Sequence, residues 1–419
     1  MKVLLLSSED LVGGAARAAD RLHQGLHSIN VSAQMLVQTK LGDDFNVIAP
    51  TRKLDKAIAK LRPSIDAIPS LLYPNRDRSL FSSEWRSNSV PNQINQIAPD
   101  IINLHWICHG FLSIESIARL NRPLVWTLHD MWAFTGGCHY SFDCDRYIQS
   151  CGACPHLGSD RDWDLSRWNW QRKAKNWSRL NLVFVTPSQW LAKSARASSL
   201  CQNVCQNSRI EVIPYGIDLQ IYKPIDRQLA RQILNLPLDK RLVLFGAIHP
   251  TSEQRKGFHL LQPALQALDL AWQDQLEIVI FGASQPQDAV NLNFKTHYLG
   301  RLNDDISLAL IYAAVDVFVA PSIQDNLPNT VMESIACGTP CVAFNIGGMP
   351  DLIDHKQNGY LAHPFDPNDL AYGINWVLED VDRHQQLVRN ARSKAEQEFS
   401  LERQAHRYLQ LFEEIVELT

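Results

Sequence analysis

The sequence predicts two α/β domains, each built on a doubly wound, mostly parallel sheet, and three observations lead there. At 419 residues the chain is too long for one compact core, so two domains are the default. Short apolar runs alternate with helical stretches along most of its length, which is the pattern of a parallel sheet covered on both faces. Residues 317–351 read as strand, loop, helix, helix stop and second strand, the unit from which such sheets are made.

The first half opens with an apolar run at 2–7, then Gly13-Gly14-Ala15, then a helix with Ala16, Ala19, Leu22 and Leu26 on one side. Further strand-like runs fall at 31–37, 101–104, 124–128, 182–186 and 210–213. The second half continues with 242–245, 276–281, 315–320 and 341–344. The expected domains are 1–212, with a cysteine-containing insertion near 136–160, then 213–396, and a final helix within 397–419.

Composition narrows the class. Apolar residues make up 45% and charged residues 20%, as in soluble globular proteins. A formal charge of −4 argues against a nucleic-acid binder, which normally carries a basic excess. The opening apolar stretch, 1–6, is too short for a signal-peptide core or a membrane span, so a cytoplasmic location is expected. The nine cysteines then read as thiols or metal ligands rather than a disulfide frame.

Residues 317–351 carry the most chemistry. The helix after the proline-marked loop has Val331 and Ile335 at i, i+4, Gly338 at its stop and Pro340 just beyond. Strand, loop and helix in this order aim backbone N–H groups and the positive helix end at one point. That geometry holds a diphosphate without a metal. Asp325 and Glu333 bracket the helix start, and an anion site gains from such acids only where hydroxyls lie beside the anion. A nucleotide-sugar has both.

These residues resemble the donor-binding segment of retaining GT-B-fold glycosyltransferases of family 4, the large family that includes sucrose synthases and mannosyltransferases. Its signature is two acids separated by seven residues, matched here by Asp325 and Glu333 with the first acid one methylene shorter. The resemblance implies GT-B architecture: two Rossmann-like domains facing a cleft, an N-terminal one for the acceptor and a C-terminal one for the donor. It implies that Glu333 grips the ribose and that Asp325 lies near the transferred sugar. Asn326, Leu327, Asn329 and Thr330 go with them as donor-binding positions, and Gly300 lies beside the base. Lys256 matches the family lysine for the leaving diphosphate. Ala247 stands where the family has arginine, and Arg255 is the candidate substitute.

In the first half, Gly13-Gly14-Ala15 matches the family's glycine loop, with Gly14 as a donor contact. His129, in His129-Asp130-Met131-Trp132, is similar to the histidine that touches the transferred sugar. His105 and Trp132 are candidates for the acceptor side, and for His105 an interior packing role stands beside that one. The implied catalytic set is His129, Lys256 and Asp325. In the family's mechanism a leaving phosphate oxygen takes the acceptor's proton, so no dedicated base and no catalytic cofactor are expected. Residues 214–218 match the family hinge, and 401–418 match a last helix that crosses back onto the first domain.

Three features stand outside that motif. Cys138, Cys144, Cys151 and Cys154, with His139 and His156 nearby, read as a structural zinc site, as reduced packing thiols, or as a disulfide or redox pair. The run Gly136-Gly137-Cys138-His139-Tyr140 resembles a subset of these transferases from bacterial exopolysaccharide pathways. Trp163, Trp168, Trp170 and Trp177 read as packing or as a glycan platform. Arg52, Lys53, Lys56, Lys60 and Arg62 interleave with Leu54, Ile58 and Leu61, which suits either a solvated helix face or peripheral contact with an anionic membrane. The resemblance implies transfer from a nucleotide-diphosphate sugar to a glycan or lipid-linked acceptor, in polysaccharide or glycolipid biosynthesis; the alternatives are a GT-B sugar epimerase or phosphorylase, or a non-catalytic sugar-nucleotide-binding scaffold.

Overall fold

The computed structural model describes the whole chain except residues 78, 88, 205–207, 247–252, 269–271, 283–291, 303 and 419. It divides into two compact units, Met1–Pro214 with Gln404–Thr419, and Tyr215–Arg403.

The first unit holds strands β1 (Lys2–Glu9), β2 (Ser32–Thr39), β3 (Val47–Ile48), β4 (Ile101–Leu104), β5 (Leu124–Thr127), β6 (Leu182–Thr186) and β7 (Arg209–Val212). They lie in the order β3-β2-β1-β4-β5-β6-β7, and every pair is parallel. Val3, Leu4, Leu5 and Leu6 are all fully buried, so β1 shows no polar alternation, as expected for a central strand covered on both faces. The helix Gly14–Ser28 buries Ala16, Ala19, Leu22 and Leu26, the side its sequence spacing selects. The last helix, Leu401–Glu417, inserts Tyr408, Leu411 and Phe412 into the cluster that contains Val3, Leu5, Val125 and Val185. Tyr408 is anchored there through its hydroxyl, 2.9 Å from Thr127 Oγ1.

The second unit holds β8 (Arg241–Gly246), β9 (Leu276–Phe281), β10 (Thr296–Tyr298), β11 (Val317–Ala320), β12 (Cys341–Phe344) and β13 (Gly359–Ala362). The order is β10-β9-β8-β11-β12-β13, again all parallel. Asp316, just before β11, fixes the central pairing. It accepts from the Leu242 N–H at 2.7 Å and meets Arg227, Arg231 and Arg241 at 2.8, 2.8 and 3.2 Å. Burial pushes this carboxyl up, but the three guanidiniums and the amide outweigh it and hold it below the usual range.

Strand order reverses between β1 and β4 in one unit and between β8 and β11 in the other. At such a reversal the chain leaves the two neighbouring strands toward opposite faces of the sheet, and ligands collect in the crevice at their carboxyl ends. β3, β10 and β13, edge strands of two, three and four residues, were not foreseen. Among the described residues, no helix is long and apolar enough to cross a membrane.

Candidate active site

In the second unit the loops after β8 and β11 meet. Residues 247–252, including the expected departure at Ala247, lie outside the described residues. After them a 3-10 turn, Gln254–Lys256, ends at Gly257 with φ 73°. A Cβ there would stand 1.8 Å from the Pro321 carbonyl oxygen, so only glycine lets the two loops press together. Ile323 N–H donates to the Arg255 carbonyl at 2.9 Å and completes the junction.

This contact gathers the charged residues. Lys256 Nζ donates to Asp325 Oδ2 at 2.8 Å, and Arg255 Nη1 lies 3.1 Å from the same oxygen. Arg255 also pairs with Glu253 at 2.8 Å, so two cations face two carboxylates. Asp325 is only 6% exposed. Burial raises its pKa, yet Lys256, Arg255 and the Asn326 N–H outweigh burial and hold it at about 2. From the other side Gly347, at φ 54°, lies so close that a Cβ would fall 2.0 Å from the Asp325 carbonyl oxygen. Gly348 N–H donates to that oxygen at 3.1 Å.

The helix Asn329–Ala336 follows directly. It buries Val331, Met332, Ile335 and Ala336 and stops before Gly338, which has φ 79°. Its N-cap is Pro328, which makes no side-chain capping bond. Glu333 is 2% exposed, and the Tyr312 hydroxyl donates to its Oε2 at 3.1 Å. Tyr312 was not singled out from sequence. It reads as one more apolar position of the helix Asp305–Ala314, and only the fold reveals that its hydroxyl reaches Glu333. Asn326 and Leu327 are buried in the loop, while Asn329 and Thr330 are half-buried at the helix start. Gly300 adopts φ 66° in the turn after β10, and its carbonyl accepts from Gly282 N–H at 2.7 Å.

In the first unit β4 and β5 are neighbours, so the histidines at their carboxyl ends meet. His105 Nδ1 and His129 Nε2 are 3.0 Å apart, with the rings stacked at 26°. Burial pushes His129 down to about 4 against the opposing pull of Asp130, and burial together with His129 pushes His105 well down. The pair is therefore neutral near pH 7. Next to it Asp130 accepts from His139 Nδ1 at 2.6 Å, Trp106 Nε1 at 2.8 Å and the Trp132 N–H at 2.9 Å. Burial works against ionisation of Asp130, but these donors hold it below the usual carboxylate range.

Several expected site residues fall elsewhere. Trp132 is 2% exposed, donates from Nε1 to the Ser82 carbonyl at 2.9 Å, and is capped by the Lys173 ammonium at 3.7 Å. Its ring is largely interior, and the residue lines one small cavity with His105 and His129. Gly14 begins its helix, and the positive φ of 90° is taken by Gly13. His139 and His156 have both ring nitrogens engaged: Asp130 and Asp77 hold Nδ1 at 2.6 and 2.8 Å, and Ser82 Oγ and the Ser141 carbonyl meet Nε2 at 3.0 and 3.3 Å. Cys138, Cys144, Cys151 and Cys154 are free thiols lining one cavity with Phe81 and Tyr147. Among the described residues, no three His, Cys, Asp or Glu side chains are arranged to hold a metal ion. Trp177 is core, whereas Trp163 and Trp168 are exposed.

Two parallel-sheet α/β units, each with its strand order reversing at a central pair, define the class as the GT-B fold. The family "Glycosyltransferase Family 4" matches residues 12–221, half of the chain, and "Glycosyl transferases group 1" matches 226–394. The chain belongs to glycosyltransferase family 4. It is 29% identical over 328 residues to a D-inositol 3-phosphate glycosyltransferase of Paenarthrobacter aurescens, covering 76% of this chain and 73% of the relative. It is 26% identical to an uncharacterised glycosyltransferase of Methanocaldococcus jannaschii, a match spanning 41% of this chain and 44% of that protein. Among solved structures, sucrose-phosphate synthase from Thermosynechococcus elongatus matches with TM-score 0.71 at 18% identity, over 100% of both chains. Anabaena HepE in complex with UDP-glucose matches with TM-score 0.65 at 18% identity, over 99% of this chain and 100% of that one.

Proposed function

We propose that this glycosyltransferase moves a sugar from a nucleotide-diphosphate donor to a glycan or lipid-linked acceptor with retention of anomeric configuration. The observation that carries the reading is the meeting of Arg255, Lys256 and Asp325 beside the helix that bears Glu333. Departure of the diphosphate builds negative charge on phosphate. The donors offered to it are Lys256, Arg255 and the positive end of the helix that starts at Asn329. Such preorganised donors are worth several kcal/mol in a dry site. Glu333, held by Tyr312, takes the ribose hydroxyls, and Asp325 takes a sugar hydroxyl while orienting Lys256.

The neutral His129 contacts the transferred sugar, and a leaving phosphate oxygen accepts the acceptor's proton. The reaction needs no metal-bound water. On this reading the protein works at the cytoplasmic face of a membrane in polysaccharide or glycolipid assembly. A thermal-shift screen against nucleotide-sugars, followed by turnover with the best binder and NMR of the product's anomeric centre, tests it. Stabilisation by one nucleotide-sugar and a retained linkage are expected. Binding without turnover across glycan and lipid acceptors overturns the enzymatic assignment, and an inverted linkage overturns retention.

A further inference from the structure

The insertion around residues 136–164 has very little of its own to hold it together. Between Gly136 and Asp164 its helical elements are the 3-10 turns Arg146–Ile148 and Pro155–Leu157. Its buried apolar cluster is Cys154, Leu157 and Leu165, with Tyr73 and Phe81 packed against it. A loop this long with so small a core normally needs a covalent or metal staple.

The cysteines are placed to supply one. Cys138, Cys144, Cys151 and Cys154 line a single cavity, although they are up to sixteen positions apart in sequence. Three consecutive residues with positive φ, Cys151 at 54°, Gly152 at 100° and Ala153 at 42°, fold the Cys-Gly-Ala-Cys segment back so that both of its thiols reach that hollow. Amides are aimed at the sulfurs. Gly136 N–H donates to Cys151 Sγ at 3.1 Å, and the His156 and Leu157 amides point at the Cys154 thiol. Donors of this kind favour thiolate over thiol. Four thiolates side by side in one hollow would require a cation among them.

We propose that Cys138, Cys144, Cys151 and Cys154 bind one structural zinc ion as a closed four-thiolate site. With both ring nitrogens of His139 and of His156 already engaged, the sulfurs are the donors left to share it. The thiols do not yet converge on one point, so binding draws them inward within the cavity they already line. Four S–H protons leave to solvent as four Zn–S bonds form, so affinity rises with pH. Cys138 adjoins His139, whose ring holds Asp130 next to His129. The ion therefore braces the loop that positions that pair.

The test uses the full chain purified without chelator and needs neither donor nor acceptor, so it stands apart from the transferase reading. Elemental analysis should find about one zinc per chain. Exchange with cobalt should give the intense thiolate-to-cobalt absorption of a tetrahedral sulfur site. Cys151→Ser with Cys154→Ser should remove both signals. If that variant does not fold, the cobalt spectrum of the parent still decides. Zinc far below one per chain, a cobalt spectrum without thiolate bands, or an intact mass showing disulfides among these cysteines overturns the proposal.

Discussion

Lys256 and Asp325, 69 positions apart, form an ion pair of 2.8 Å at the point where the loops after β8 and β11 touch. Arg255 closes on the same carboxylate oxygen. These charges satisfy one another, and on the proposed reading the donor phosphate shares Lys256 with Asp325. A cation held in place by a carboxylate needs little reorganisation when the leaving group develops charge.

Lys256→Ala should lose about 2–4 kcal/mol of transition-state stabilisation, roughly 30- to 1000-fold in kcat/KM, while remaining folded. Steady-state transfer assays with circular dichroism as the folding control check this. A variant that transfers sugar at the parent rate would remove Lys256 from the diphosphate site.

Asp325 carries a pH signature. Its folded pKa of about 2 lies below the ordinary value of about 3.9. The stability it contributes is therefore complete above about pH 4 and is lost as pH falls through 2. Asp325→Asn should cost on the order of 2 kcal/mol at neutral pH in urea unfolding, with the difference closing as the acid range is entered. An equal deficit at every pH would contradict the ionised pair.

Glu333→Ala should weaken donor binding at least tenfold, seen as a raised KM or a lost thermal shift. Tyr312→Phe removes one hydrogen bond to a charged group and should cost about 1.5–3 kcal/mol at most. If Glu333 served only packing, Glu333→Gln would bind donor as the parent does.

The histidine pair gives a different sign of test. A folded pKa of about 4 for His129, below the ordinary 6.5 or so, means that folding favours the neutral ring. Its contribution to stability is full above about pH 6.5 and declines as pH falls from there through 4. Histidine NMR should show His129 untitrated above about pH 5. A midpoint near the ordinary value would mean that its ring is solvated.

The helix Lys53–Asp66 and the turn after it expose Leu54, Leu61, Leu71 and Leu72 by 71, 58, 60 and 79%, beside Lys53, Lys56 and Lys60. Sedimentation with anionic vesicles should capture the protein, and rising salt should release it. Leu71→Ser with Leu72→Ser should weaken capture several-fold. Equal binding to neutral vesicles at any salt would leave the lysines without a role.

Much of the fold was legible because buried parallel strands are apolar on both faces. The runs at 101–104, 182–186, 276–281 and 341–344 coincide with observed strands at both ends. Gly338 also announced its left-handed stop. Trp132 was legible as a residue beside the strand-end His129, but its surroundings were not. Its environment, including the buried Lys173 over its ring, comes from a helix some forty residues away. Asp130 was visible in its motif, but its position as acceptor for His139 and Trp106 was not.

The sequence alone determined the two-sheet architecture and the acidic pair at 325 and 333, since hydrophobic period, glycine stops and motif spacing are local properties of the chain. Tertiary structure alone decided that Arg255 and Lys256 close on Asp325, that His105 faces His129, and that four cysteines share one hollow. Those contacts depend on which strands lie side by side, and strand order is set by packing summed over each unit rather than by any residue's neighbours in sequence.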